Sequence, residues 1–509
     1  MNTLIERIKF PELFFGFVAP IGADLDQAVC AFRDYFKAQE YNVVELKVTD
    51  IYQILKLNIV PNTALATAPP QARYDSYIKY GDQLRETFSD DSFLAATTIA
   101  NIIRKREKFS QTDKYSKTVY LLHQFKRREE IALMRAVYGE AFFQVSVYSR
   151  RGARVDNLAR KFAAGQNSSN INTFRSQAEL LVQTDENESS QPHGQQVGKI
   201  FHNADFIVSL DEHTPNIEDQ VRRFCELLFS SNKISPTKME HGMYLAHGAA
   251  LRSLDLSRQV GACILDPHGQ IICLGANDVP KATGGTYWAD ERFDDRDFRR
   301  GFDSNEQRKR EILSEILRIV GQASNIEDLL KDPKIQDSQL MDALEYTRVI
   351  HAEMNALCDA AKSGRSGADA VLYCTTFPCH ICAKHIIAAG LAQVVFLEPY
   401  PKSLTFQLHN DAVQIEGGDR GQYADFPSVK FIHFFGVTPR RYQKMFERGR
   451  RKSEGGAVQE YRNDSKIPFI SIKTPFYTQP ELLVLEAQKK TFKELLGVDE
   501  TKFAQMHSA

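Results

Sequence analysis

Two short segments constrain this chain more than anything else in it. Val349-Ile350-His351-Ala352-Glu353 opens one helical pattern, and Thr376-Phe377-Pro378-Cys379-His380-Ile381-Cys382 opens another. Cysteines three apart at a helix N-terminus can turn two thiolates toward one metal, and the helix dipole lowers their pKa. A histidine from the neighbouring helix completes three protein ligands, so a fold that uses these residues must bring two helix starts together. Three ligands leave one position open for water, which is the catalytic arrangement and not the closed structural one. Glu353 lies just beyond His351 and is free to face the pocket and move protons beside that water. A lone Cys-x-x-Cys is equally half of a structural zinc site or a redox pair. A structural site wants a fourth Cys or His at matching spacing. His380 lies between the cysteines, and His385 sits on the following helix turn.

Strand–helix alternation surrounds these segments. Leu13-Phe14-Phe15-Gly16-Phe17-Val18 reads as a buried strand and Ala19-Pro20-Ile21-Gly22 as a turn. Asp24 then caps a helix with Leu25, Val29, Phe32 and Phe36 on its apolar face. Val43–Leu46, Thr118–Leu122, Phe142–Tyr148 and Ala204–Val208 read as further strands, and strands separated by helices imply a parallel α/β sheet. The polar stretch Gln183–Gln196, which holds Asp185 and Glu186, reads as a mobile surface loop. A polar turn near Ser230–Lys238 sets a domain boundary, giving 1–235 and 236–509. Beyond it a helical pattern runs through Leu251. Gln259–Leu265 and Gln270–Ala276 then form a hairpin about Asp266-Pro267-His268-Gly269. Alternation resumes after His351, with strands Ala370–Thr375 and Gln393–Leu397 around a helix Cys379–Gly390. The charged segment 281–346 reads as an insertion, helical around Glu311–Val320, and includes Trp288, the single tryptophan. It lies at an interface between subunits or covers the active site.

Composition narrows the classes of partner. The 509 residues carry 64 Lys+Arg against 65 Asp+Glu, a net charge of −1, which argues against a chain-wide grip on nucleic acid or anionic membrane. Local basic patches stay open, notably Arg448, Arg450, Arg451 and Lys452. With 43% hydrophobic and 25% charged residues, usage is that of a globular protein. No apolar run approaches the ~18–20 residues that span a bilayer, and charges at Glu6, Arg7, Lys9 and Glu12 are wrong for a signal peptide. Eight cysteines are too sparse for a disulfide scaffold, so a reducing, cytoplasmic setting is expected. Cys30, Cys225, Cys263, Cys273, Cys358 and Cys374 fall in strand or helix patterns and read as packed thiols.

His-x-Glu followed by Pro-Cys-x-x-Cys resembles the signature of zinc nucleobase deaminases. Over most of Met239–Tyr400 the chain is similar to the deoxycytidylate (dCMP) deaminase family. Leu251-Arg252-Ser253, Arg258-Gln259-Val260-Gly261-Ala262 and Gly275-Ala276-Asn277-Asp278-Val279-Pro280 occur in order, followed by Ile350–Ala356, Leu372–Cys379, Ala383–Ile387 and Ala389-Gly390. The resemblance implies a three-layer α/β/α fold and Zn2+ at His351, Cys379 and Cys382. It implies attack of water on C4 of a cytosine ring, with Glu353 carrying the proton to N3 and then to departing ammonia. It also makes Asn277 a contact to the nucleotide sugar or phosphate, where the plain reading is a turn residue before Pro280. Arg252 and Arg258 bind phosphate or are ordinary surface or ion-pair residues.

In the N-terminal half, Gly16 to Gly22 between a strand and a helix resembles a P-loop, although Ala23-Asp24 stands where that motif has Lys-Ser/Thr. Gly81-Asp82-Gln83-Leu84-Arg85 and Arg127-Arg128-Glu129-Glu130 resemble phosphate-contacting segments of nucleotide kinases, or are a helix cap and a solvated charge run. The expectation is a P-loop-kinase-like parallel sheet that has lost phosphoryl transfer and binds a regulatory nucleotide through Gly16, Gly22, Asp24, Arg85 and Arg127. Nearly the whole chain resembles the bacterial antiphage deoxycytidine nucleotide deaminases. That implies conversion of dCTP and dCMP to dUTP and dUMP during infection, restraint in some members by a small RNA, and a homo-oligomer such as a hexamer. The alternatives are a housekeeping dCMP deaminase for thymidylate synthesis, a polynucleotide cytosine deaminase, and a nucleotide sensor on a dead scaffold. Intact His351, Glu353, Cys379 and Cys382 count against the last.

Overall fold

The structure, a computed structural model, describes residues 8–54, 64–110, 114–186, 193–321, 326–336, 338–416, 418–462 and 465–496. The chain divides into two units: residues up to Pro236 with those from Phe435 onward, and Thr237–Phe434.

In the first unit the apolar runs form β1 (Leu13–Val18), β2 (Asn42–Lys47), β3 (Thr118–His123), β4 (Phe142–Tyr148) and β5 (Phe206–Ser209). They pair in parallel in the order β5-β4-β1-β3-β2, and a short strand, Gly436–Val437, adds antiparallel to β5. Every residue of β1 and β3 is buried, as expected of central strands covered on both faces. The helix Leu25–Ala38 buries Leu25, Val29, Phe32 and Phe36 as its spacing predicts. The helix Phe93–Glu107 carries no such signal, because Phe93 through Ile102 are buried all round it.

Three expectations change here. Gly16 lies inside β1, paired with Leu122 and Gln144, and a Cβ there would sit 2.6 Å from the Phe142 ring. Its missing side chain serves packing, and the loop begins only after Val18. Of the expected loop Gln183–Gln196, the part up to Glu186 continues a helix, Arg175–Glu186, while 187–192 lie outside the described residues. Finally, the chain from Phe435 onward packs with the first unit, not with the second domain as expected of 236–509. A buried ionic cluster helps explain why. Arg106 pairs with Glu12 at 2.9 Å and with Glu481 of the helix Thr478–Leu496 at 2.7 Å, while the Tyr477 and Tyr138 hydroxyls donate to Glu12 and Glu481. Each carboxylate is thus paired and hydrogen-bonded inside the core, as a buried charge requires.

The second unit holds β6 (Gly261–Leu265), β7 (Ile271–Ala276), β8 (Val371–Thr376), β9 (Gln393–Glu398), β10 (Val413–Ile415) and β11 (Val429–His433) in the order β10-β11-β9-β8-β6-β7. β6 runs antiparallel to β7 and β8, and the remaining pairs are parallel. Alternate residues feed two faces. Ala262, Ile264 and Leu372 join one core with Ala352, Ala356 and Ile386 from the helices Ala352–Lys362 and His380–Ala388. Tyr373 turns the other way, against Gly242 of the helix Lys238–Ala250. The result is three layers, helix, sheet and helix. The insertion supplies a helix, Ser304–Ile319, capped by Asp303, and a small apolar cluster of Leu313, Leu317, Leu330 and Met341. Cys263, Cys273 and Cys374 are packed thiols as expected, but Cys358 is exposed, because it falls on the outer face of its helix.

Candidate active site

Two helix starts converge at the end of the second sheet. His351 immediately precedes the helix Ala352–Lys362, and Cys379 precedes the helix His380–Ala388 just beyond β8. Gly275 of β7 permits the first placement. A Cβ there would lie 2.1 Å from the Ala352 carbonyl oxygen, so any side chain would push the helix start away. The Ile350 amide donates to the Asp278 carbonyl at 3.1 Å, and Asn355 Nδ2 donates to the Ala276 carbonyl at 2.8 Å, tying both sides of His351 to the end of β7.

His351 Nδ1 lies 3.3 Å from the sulfurs of both Cys379 and Cys382, and the three ligand atoms lie within 4.8 Å of one another. One ion with metal–ligand bonds of about 2.0–2.3 Å can reach all three. One imidazole and two thiols are a donor set suited to zinc. The Cys379 thiol is held well below its ordinary pKa, first by the hydrogen bond from Cys382 and then by His351, which supplies a ready thiolate. Cys382 moves up, through that same hydrogen bond and burial, so the pair shares one proton. Burial pulls His351 down, but the Cys379 hydrogen bond and charge outweigh it and lift the imidazole to about 9. Glu353, 4% exposed, has its carboxyl pKa raised by burial, which suits a group that takes up and passes on protons.

These groups open into one pocket, and the structure sorts the other expected residues around it. Asn277 and Arg258 line it; Arg252 does not. Asn277 accepts from the Val260 amide at 2.7 Å and donates to the Arg258 carbonyl at 2.8 Å, so its amide holds the pocket's own backbone. Arg258 stands at the exposed rim, paired with Glu398 at 3.4 Å and over the Tyr400 ring. Arg252 stacks on Trp288 at 3.7 Å and donates to the Tyr287 carbonyl. The pocket wall also includes Asp255 and Tyr400, and Asp297, Asp303 and Asn305 from the insertion, which therefore forms part of that wall. None of these carries a spacing signal; the charged composition of 281–346 was the only hint. Arg348 donates to Asp297 at 2.8 Å, linking the insertion to the segment that leads into His351.

In the first unit, the loop after β1 and the end of β3 share a second cavity with Gly22, Asp24 and Arg85 in its wall. Gly22 has φ +86°, and a Cβ there would lie 2.5 Å from the Arg154 carbonyl oxygen. Asp24 stands at the helix start but makes no cap; its carboxylate accepts from the Gln27 side chain. Arg85 pairs with Glu130 at 2.9 Å and Asp82 at 3.1 Å. Arg127 pairs with Asp91 and donates to the Gly194 carbonyl, and it is not part of the cavity wall.

The His351, Cys379 and Cys382 donor set of the second unit suits a zinc ion, and the comparisons fall on the same stretch. Residues 236–398 match the family model of the cytidine and deoxycytidylate deaminase zinc-binding region. A probable deoxycytidylate deaminase of Drosophila melanogaster is 30% identical over 174 residues, 33% of this chain and 64% of that protein. The deoxycytidylate deaminase of Mus musculus is 27% identical over 158 residues, 31% of this chain and 63% of the relative. The chain thus spans less than two thirds of the length of these relatives. A dCMP deaminase from cyanophage S-TIM5, solved with dCMP and dUMP, is 20% identical over 39% of this chain and 99% of its own, with a TM-score of 0.22.

Proposed function

We propose that the unit Thr237–Phe434 catalyses zinc-dependent hydrolytic deamination of deoxycytidine nucleotides, dCMP or dCTP, to the corresponding deoxyuridine nucleotides and ammonia. The observation that carries this reading is Glu353, buried in a pocket wall beside a His351, Cys379 and Cys382 donor set within the matched region. Zinc at these three side chains supplies Lewis-acid activation of water near neutral pH. Glu353 takes a proton from the attacking water and delivers it to ring N3 as the water oxygen bonds to C4; it then takes that oxygen's remaining proton and passes it to the amino group, which leaves C4 as ammonia. Phe377, Val260 and Tyr400 give the base an apolar wall, and Arg258 at the rim faces the phosphate end. Purified protein incubated with dCMP, dCTP, CMP and a cytosine oligonucleotide should release ammonia from the deoxynucleotides alone; release from none of them overturns the reading.

The presence in one chain of such a unit and of a parallel sheet with a cavity beside the loop after β1 supports a wider reading as an antiphage enzyme that depletes the dCTP pool, assembled as a homo-oligomer and governed by a nucleotide at the first unit or by a small RNA. Cells carrying the protein should resist phage and lose that resistance in Glu353→Ala. A thymidine requirement on deletion would favour the housekeeping alternative instead.

A further inference from the structure

The loop that follows β1 already holds an anion, and that anion is part of the protein. Asp185, fully buried at the end of the helix Arg175–Glu186, accepts from the Ile21 amide at 2.7 Å and from Lys126 Nζ at 2.7 Å. Lys126 also donates to the Ala19 carbonyl at 3.0 Å. A lysine arriving from the end of β3 thus supplies the cation that the loop sequence lacks, and a carboxylate occupies the place where a loop amide and a lysine would together hold a phosphate. The helix Leu25–Ala38 beyond the loop has no side-chain cap, so its dipole adds to the attraction for negative charge. Arg85, 3% exposed and paired with Glu130 and Asp82, is also part of the cavity wall, and its buried Nε has no hydrogen-bond partner among the described residues. Lys47, Arg73 and Lys161 add cations to the wall, and Tyr52, Tyr74 and Tyr77 add aromatic surface.

We infer that Asp185 is an internal competitor for a phosphate group: a nucleotide enters this cavity by displacing the Asp185 carboxylate from the Ile21 amide and Lys126. The inference deepens the reading of the first unit as a nucleotide-binding module and rests on it. Exchange of one anion for another keeps Lys126 paired throughout, so the charge is never left buried alone. It also makes the free site weak, since the ligand must first break two charge-assisted contacts.

Inorganic triphosphate is the probe, titrated calorimetrically into the whole protein. Asp185→Asn keeps an acceptor for the Ile21 amide and removes the competing charge, so triphosphate should bind it at least tenfold more tightly than wild type. Lys126→Gln should weaken that binding in the Asp185→Asn background. A readout that needs no variant is carbodiimide coupling of an amine to Asp185, mapped by mass spectrometry, which should rise when triphosphate is added. Equal affinity in wild type and folded Asp185→Asn, or unchanged labelling in triphosphate-saturated wild type, overturns displacement alone. Absence of triphosphate binding in both proteins overturns the nucleotide-binding reading as well.

Discussion

The strand–turn–helix units that follow β1 and β8 are built on the same local plan and end in opposite states. After β8, Cys379 stands at the helix start and turns its sulfur toward His351 and Cys382, while Glu353 stays buried in the pocket wall. After β1, Asp24 makes no cap, and the Ile21 amide is taken by Asp185 from a helix 164 positions away. A helix N-terminus attracts negative charge in both places. Whether it becomes a reactive centre or a closed one depends on the group that the rest of the fold delivers to it. Elsewhere in the first unit the same rule holds, with charge answering charge at Arg85–Glu130 and at Arg106 between Glu12 and Glu481.

The contrast breaks most sharply at Glu353. Glu353→Gln should cut ammonia release by about 10²–10⁴-fold, with zinc content held, because the proton carrier is lost and the ligands are not. Full activity in that variant would show that the open site is not the reactive one. Next comes the core of the first unit. Arg106→Leu leaves Glu12 and Glu481 buried without their partner and should cost about 3–5 kcal/mol in denaturant unfolding. A loss no larger than that of a surface variant would show that these charges do not hold the C-terminal helix. Gly275→Ala should cost about 1–3 kcal/mol, because a methyl cannot fit beside the Ala352 carbonyl. It should also lower zinc stoichiometry, which a purely structural defect remote from His351 would leave alone. The smallest effect belongs to Cys358→Ser, at an exposed helix position, where unfolding should move by no more than about 0.5 kcal/mol.

Much of the fold was open to reading from apolar periodicity. β1 and the centre of β3 are apolar runs because the sheet buries both faces, β4 is apolar except for the buried, hydrogen-bonded Gln144 and Ser146, and the Asp266–Gly269 turn announces the β6–β7 hairpin. The helix Phe93–Glu107 escaped because a helix buried all round shows no stripe. The destination of residues from Phe435 onward escaped for another reason: strand Gly436–Val437 finds β5, and Glu481 finds Arg106, through contacts with no local pattern. Asn277 shows the limit within a motif, since its place in the pocket was expected while its bonds to Val260 and Arg258 were not.

By itself the sequence determined the metal-ligand chemistry. His351, Cys379 and Cys382 lie on two helix starts, and such starts are set by local spacing and backbone geometry, which a sequence states directly. Only the tertiary structure decided that the insertion walls the pocket with Asp297, Asp303 and Asn305, and that Asp185 fills the loop after β1. Both outcomes depend on which distant charge packing brings to a helix start, and long-range electrostatic pairing leaves no period in the chain to read.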